Sequence, residues 1–525
     1  MSIRRLPKLL LIVQTVCAAA VLTGCGGGSS PGSSTGPSNQ LVTPSVSVKP
    51  ASSSVGAGQP LSVAVTVSGG GSTPTGSVTL SSGNYASLAT ALSGGGATIS
   101  VPAALLAAGS DTLTANYAPD AASAGAYNKA SGTASVTVTA LRGVPSVTTS
   151  YVTYPTAGPP FQAITTSTGT VFVSVSGASA GIQVFTPSGG GLTPGCVNPL
   201  PTGDGSSVAD LSLLPNQMEL AAGIGAYGAA FFNVAALQTC SAAGFVVSQG
   251  PATPDQGSLG VAITPDGKYA FVSNEYGVVT NAVTRGNIGV VQLAYDANGN
   301  VSSGSKLLGQ IATNGNAIAG MMLSPDGKRL YVTSEIAASS TVGAGSGNPV
   351  LSKSDCVQAS STPQLNGVLT VIDVAKAESA PGASAILATV DAGCSPVRMA
   401  ETADGSTLWV TARGDNRVLA FSTGMLELNA GNALLGYADT GGTAPVGLHL
   451  FHKDQLLAVA NSNRFGTGTE NATILDVAVP ASASVVQTTQ TGLFPREIWA
   501  GSDDSTLYLT NYESYSLEVI TTTVQ

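Results

Sequence analysis

From about Val144 to Gln525 the chain alternates short apolar runs with polar turns. A typical unit has an apolar run, "GVAIT" from Gly260, then Pro265-Asp266-Gly267, then a second apolar run, "YAFVSN" from Tyr269. Pro and Gly supply the backbone angles of a tight reversal, so the unit reads as a hairpin. It recurs in "LSPDGKRLYVTSE" at residues 323–335. Aligned on the first large residue of the second run, the units fall at Phe172, Ala221, Phe271, Tyr331, Trp409, Ala458 and Tyr508, at spacings of 49, 50, 60, 78, 49 and 50. A period near fifty residues means a solenoid or a propeller. Two further runs complete the unit, as in "GVLTVIDVA" from Gly367 and "SAILATVDAG" from Ser384. Four antiparallel strands per unit and seven units predict an all-β fold, a seven-bladed β-propeller over residues 144–525.

The last unit stops at Gln525 after its third run. An unpaired third strand would leave an exposed edge, so the segment Ser146–Tyr154, "SVTTSYVTY", is expected to supply the missing outer strand. Upstream, residues 44–141 hold shorter alternating runs such as "LSVAVTV", "GSVTL" and "DTLTANY". Alternation of period two with frequent turns predicts a β-sandwich. The stretches "PTGSVTL", "DTLTANYAPD" and "ASGTASVTVTA" resemble bacterial Ig-like domains, which implies a spacer role.

Composition adds an address. Arg4, Arg5 and Lys8 precede the apolar stretch Leu9–Leu22, too short for a permanent membrane span, so residues 1–24 read as a cleaved export signal. The following "LTGC" resembles the lipobox of bacterial lipoproteins, which implies lipidation at Cys25 and a membrane as partner. Residues 25–43 are rich in Gly, Ser and Pro and read as a flexible tether. Gly26 after the cysteine implies an outer-membrane or surface location by the same resemblance. Loss of the three basic signal residues takes the formal charge from −9 to −12, and so acidic a protein lacks the basic footprint that nucleic acid requires.

Candidate chemistry follows from topology. In a propeller the loops between second and third strands, and those between blades, share one face. Six arginines map to that face: Arg285, Arg413, Arg417 and Arg464 in loops, Arg398 and Arg496 near the starts of innermost strands, while Lys268, Lys328 and Lys453 map to the opposite face. Guanidinium groups suit carboxylates, phosphates and sulfates, so the clustering predicts an anion-reading mouth. Glu275, Glu335, Asp415, Glu470, Glu497 and Glu513 map to the same face, and pairing with these is the other reading. Cys356, in the long loop 336–366, and Cys394 share this face and are expected to pair; Cys196 and Cys240 then pair by default, although Cys240 maps nearer the opposite face. His449 and His452 are the only histidines and read as structural. "DANGN" at Asp296 lacks the closing glutamate of a calcium loop and reads as a hairpin turn. No nucleophile elbow or phosphate loop is visible, so neither a metal nor a cofactor is expected.

The motifs "SPDGKRLYVTSE", "TPDGKYAFVSNE" and "DDSTLYLTNYE" resemble the YVTN-type repeats of the lactonase-like propeller family, with degenerate second and sixth units, "LPNQMELAAG" and "FHKDQLLAVAN". The resemblance implies the fold firmly; its members include sugar-lactone hydrolases. The resulting expectation is an extracytoplasmic, lipid-anchored protein that binds a small anionic or carbohydrate ligand, or a surface partner, at the arginine-bearing mouth. Lactone hydrolysis is the alternative, Arg398 or Arg496 polarising the carbonyl and Glu497 activating water. A purely structural platform is the third reading.

Overall fold

The computed structural model describes residues 41–525 except 57–59, 84, 103–104, 107, 140–143, 202–206, 226–227, 248–256, 276, 278, 281–282, 339–355, 358–362, 365 and 465–467. The segment read as an export signal, Cys25 and most of the segment read as a tether lie outside the described residues.

Seven four-stranded antiparallel sheets are found among the described residues of the C-terminal region. Their innermost strands are Pro160–Thr165, Val208–Leu213, Ser258–Ile263, Gly315–Leu323, Pro396–Glu401, Pro445–Phe451 and Pro495–Ala500. Each lies against the next and the last lies against the first, so the sheets surround an axis and the fold is a β-propeller. Residues Phe172, Ala221, Phe271, Tyr331, Trp409, Ala458 and Tyr508 all fall in second strands.

Second strands are buried on both sides, which is why they read as unbroken apolar runs such as Val171–Val175. The core is divided: one apolar cluster fills the space between each pair of successive sheets, for example Phe172, Ile182, Leu220 and Phe232 between the first and second. Trp409, Leu448, Leu457 and Leu475 do the same between the fifth and sixth.

Every innermost strand carries a bulge near its start, seen as a register shift between Pro396 and Met399 and at the equivalent place in the other six. A bulge re-aims one side chain, here towards the axis. Threonine hydroxyls brace several of them. Thr333, Thr411 and Thr510 are fully buried, and their hydroxyls donate to the carbonyls of Val397 (2.6 Å), Val446 (2.9 Å) and Phe161 (2.8 Å) on the next innermost strand. The threonine of the repeated motif is thus a latch between sheets.

The seventh sheet draws its outer strand from before the first. Val147–Pro155 pairs antiparallel with Ser516–Val524 along its whole length, as the edge argument requires. The first hairpin turns follow the Pro-Asp-Gly reading: Gly267 has φ +71°, and its N–H donates to the Thr264 carbonyl at 2.8 Å. The degenerate sixth unit closes differently, with His452, Lys453 and Asp454 at φ +53°, +56° and +63°. Short helices do occur, at Val234–Gln238, Val374–Ser379 and Thr423–Leu428, each joining a third strand to a fourth.

Residues 42–139 form two further sheets packed face to face over Val63, Val65, Leu80, Leu113 and Val136. Strand Leu61–Ser68 alternates buried and exposed positions along its full length, the signature of a sheet covered on one face. This sandwich is docked on the propeller. Leu435 and Val479 pack against its core, and a Cβ on Gly424 would lie 1.9 Å from the Ala86 carbonyl oxygen.

Candidate functional site

The bulge places one residue of each innermost strand at the same level on the axis. Around the ring these are Gln162, Asp210, Gly260, Gly320, Arg398, Gly447 and Glu497. The glycines leave no room for more: a Cβ on Gly320 would meet the Val397 carbonyl at 2.2 Å, and one on Gly447 the Cα of Glu497 at 2.6 Å. Into this space Arg398 extends from the fifth sheet. Its Nη2 donates to Asp210 Oδ1 at 2.7 Å, its Nε to Glu497 and its Nη1 to the Ala319 carbonyl. One guanidinium therefore ties the second, fourth, fifth and seventh sheets together and crosses the channel.

Arg398, Asp210 and Glu497 are all nearly enclosed, at 9%, 9% and 7% exposure. Burial pushes the Asp210 and Glu497 carboxyls up, while Arg398 and Arg496 pull them back down. The Arg398 guanidinium feels burial first, but the two carboxylates more than offset it and hold its proton more tightly than usual. Engaged on three sides, Arg398 is placed to hold the channel closed, and it is not free to polarise a substrate carbonyl. Glu497 is engaged by the same group.

Arg496 behaves differently. It is half-buried beside this layer, and no carboxylate pairs with it among the described residues. Its guanidinium carbon stands 3.6 Å from the centre of the Phe161 ring and 5.6 Å from that of Tyr512, which itself meets Phe494 edge-on at 5.8 Å. Such stacking leaves the in-plane N–H fork open to a ligand. The Nε atom is buried and makes no hydrogen bond. Burial, reinforced by the nearby charge of Arg398, brings the Arg496 guanidinium down to about 10, so it stays protonated near neutrality but is under-compensated.

The remaining predicted residues divide. Arg413 is buried and its Nη2 donates to Glu335 Oε2 at 2.8 Å. Arg464 lies close enough to push both Arg413 and Arg496 downward. Arg417 pairs with Asp439 at 2.9 Å, and Arg285 donates to the Thr313 carbonyl and the Asn314 side chain. Arg398, Arg413 and Arg417 thus pair with carboxylates of the fold, whereas Arg496 has no such pair among the described residues.

Cys196 and Cys240 form a disulfide. The turn after helix Val234–Gln238 brings Cys240 beside the outer strand Gly191–Pro199 of the first sheet, so the bond pins neighbouring sheets at their outer edge. Cys394 is also disulfide-bonded, and the side chain of Cys356 lies outside the described residues. The Asp296 turn is a hairpin turn, its Oδ1 accepting from Asn298 N–H and Asn300 N–H at 2.9 Å. His449 sits in a strand with its ring 4.7 Å from Trp499, and burial brings its imidazole down to about 4.

Sequence reasoning missed Asp210, Phe161 and Tyr512. Asp210 lies in a degenerate unit, "VADLSLLPNQ", but it has the same offset before its turn as Arg398 has in "VRMAETADG". Alignment of first strands, rather than second strands, would have exposed it.

No protein-family model matches the chain, and no curated protein does. Among solved structures, the chain is similar to one described as the crystal structure of the mitotic checkpoint complex (TM-score 0.48, 10% identity, covering 70% of this chain and 90% of that one). A second is hydrazine synthase of Kuenenia stuttgartiensis (TM-score 0.47, 18% identity, 71% and 98%). A third is the β-propeller domain of Cps50 (Swd1) from Myceliophteria thermophila (TM-score 0.46, 10% identity, 70% and 96%).

Proposed function

We propose that this chain is a seven-bladed propeller with an Ig-like module, anchored outside the cytoplasm by a lipid on Cys25, and that it binds a small anionic ligand at the arginine-bearing mouth. The observation that carries the binding reading is Arg496: a half-buried guanidinium, stacked on Phe161, with no carboxylate partner among the described residues. An anion there completes a charge that the protein itself leaves incomplete, and the half-buried ring of Tyr512 beside it favours a ligand with a flat or sugar-like body. A carboxylated or sulfated sugar combines both features. The disulfide Cys196–Cys240 supports an oxidising compartment, in keeping with the export signal and "LTGC".

The test is calorimetric titration of the mature chain with a uronate, a sulfated monosaccharide and the matching neutral sugar. Saturable binding of an acidic sugar, at least about tenfold weaker for Arg496→Met with the fold intact, is the expected result. Equal binding by Arg496→Met, or no preference for the acidic sugars, would overturn it.

A further inference from the structure

Because Arg398 crosses the channel, the axis is split into two ends with opposite chemistry. The end away from Arg496, on the side of the first hairpin turns, contains a cavity of about 430 Å³. That volume suits a small molecule. Its lining includes Met321, Met322, Met399, Leu450 and Trp499 together with Glu401 and Asp454.

We infer that this cavity binds an organic ammonium ion, an alkyl or aryl body resting on the thioethers and Trp499 and the positive head meeting Glu401 and Asp454. Methionine thioethers are polarisable and adapt to varied shapes, and an indole face attracts cations. The lining carries one permanent cation, Arg398, which is already engaged by Asp210, Glu497 and the Ala319 carbonyl. The Glu401 and Asp454 carboxyls have no such partner within the cavity. Glu401 accepts the Tyr331 hydroxyl on Oε1 at 3.1 Å, while its Oε2 is buried with no hydrogen-bond partner.

Asp454 is held in place for such a role. It ends the run of three left-handed residues at the sixth hairpin turn, a conformation that side-chain-bearing residues adopt only when braced. The braces come from both neighbours: Asp504 accepts the His452 and Lys453 N–H groups at 2.7 and 2.9 Å, and Asp454 Oδ2 accepts the Ala403 N–H at 2.7 Å. The strained turn fixes a carboxyl over the cavity where the regular Pro-Asp-Gly turn would not. Burial raises both the Glu401 and the Asp454 carboxyl, the mark of charge that lacks a counterion.

The test uses phenethylammonium at pH 9, where Glu401 has lost its proton and the ammonium keeps its own, with 2-phenylethanol and phenylacetate as neutral and anionic controls. The chain labelled with ¹³C-methyl methionine offers an internal map, because Met321, Met322 and Met399 line the cavity whereas Met218 and Met425 do not. The expected result is a saturable shift of those three methyl signals with a dissociation constant of about 1 mM or tighter. Binding should weaken about tenfold for the alcohol and for Glu401→Gln or Asp454→Asn, each folded as judged by unchanged Met218 and Met425 signals. No saturable shift, shifts spread over all five methyls, or equal affinity for alcohol and ammonium would overturn the inference.

Discussion

At the scale of single residues the channel is governed by where charge is compensated. Arg398 sits among carboxylates; Arg496, a short way off, sits on an aromatic ring and makes no ion pair among the described residues. Glu401 shows a third situation. Burial lifts its carboxyl from 4.5 to about 8, so between those values the folded chain keeps a proton that the unfolded chain has lost. Stability must therefore fall as pH rises through that window, and the loss is complete above it. Glu401→Gln, which cannot ionise, should remove this component: its melting temperature should exceed that of the parent at pH 9 and approach it at pH 5. Equal pH profiles for the two proteins would show that Glu401 is solvated. His449 works in the other direction on acidification, because burial keeps it neutral down to about 4 while the unfolded chain takes up a proton near 6.5.

At the scale of elements the repeated unit is a sheet that cannot bury its faces alone. Its neighbours supply the cover, and the threonine latches fix the distance between them. Thr411 has a double role: its Oγ1 accepts the Arg398 N–H at 3.0 Å and donates to the Val446 carbonyl at 2.9 Å. Thr411→Val keeps the shape but strands two buried backbone groups, which should cost about 2–3 kcal/mol. Thr411→Ser keeps the hydroxyl and loses one methyl, costing about 1 kcal/mol. Urea unfolding of the two variants measures the difference, and a valine variant as stable as the serine variant would rule out the latch. The same comparison read through ligand binding at Arg496 reports whether the bulge also sets the geometry of the mouth.

At the scale of the whole molecule, closure depends on one strand taken from far upstream. Val147–Pro155 covers Ser516–Val524, whose backbone would otherwise be an open edge. Prolines introduced together at Tyr151 and Val152 remove the N–H of one ladder position whichever of the two points inward. Both side chains are more than half exposed, so the change spares the core. The variant should melt at lower temperature and form concentration-dependent oligomers visible by light scattering; a monomer of unchanged stability would mean that the clasp is dispensable. The sandwich adds a second long-range constraint, since it rests on Leu435, Val479 and Gly424 rather than standing off as a free spacer.

The residues themselves determined the propeller's unit and its closure. Hydrophobic period and Pro-Asp-Gly chemistry are local, so Phe172 through Tyr508 could be placed in second strands, and an unpaired last strand called for Ser146–Tyr154. Which arginine would be free was not legible. Arg398 and Arg496 look alike in sequence, and only the ring brings Asp210, 188 positions before Arg398, onto one of them. The cavity at the opposite end was equally hidden, because its walls come as short pieces of innermost strands from all seven sheets. Charge pairing and cavity shape depend on distances between segments remote in the chain, and those distances exist only once the sheets have closed around the axis.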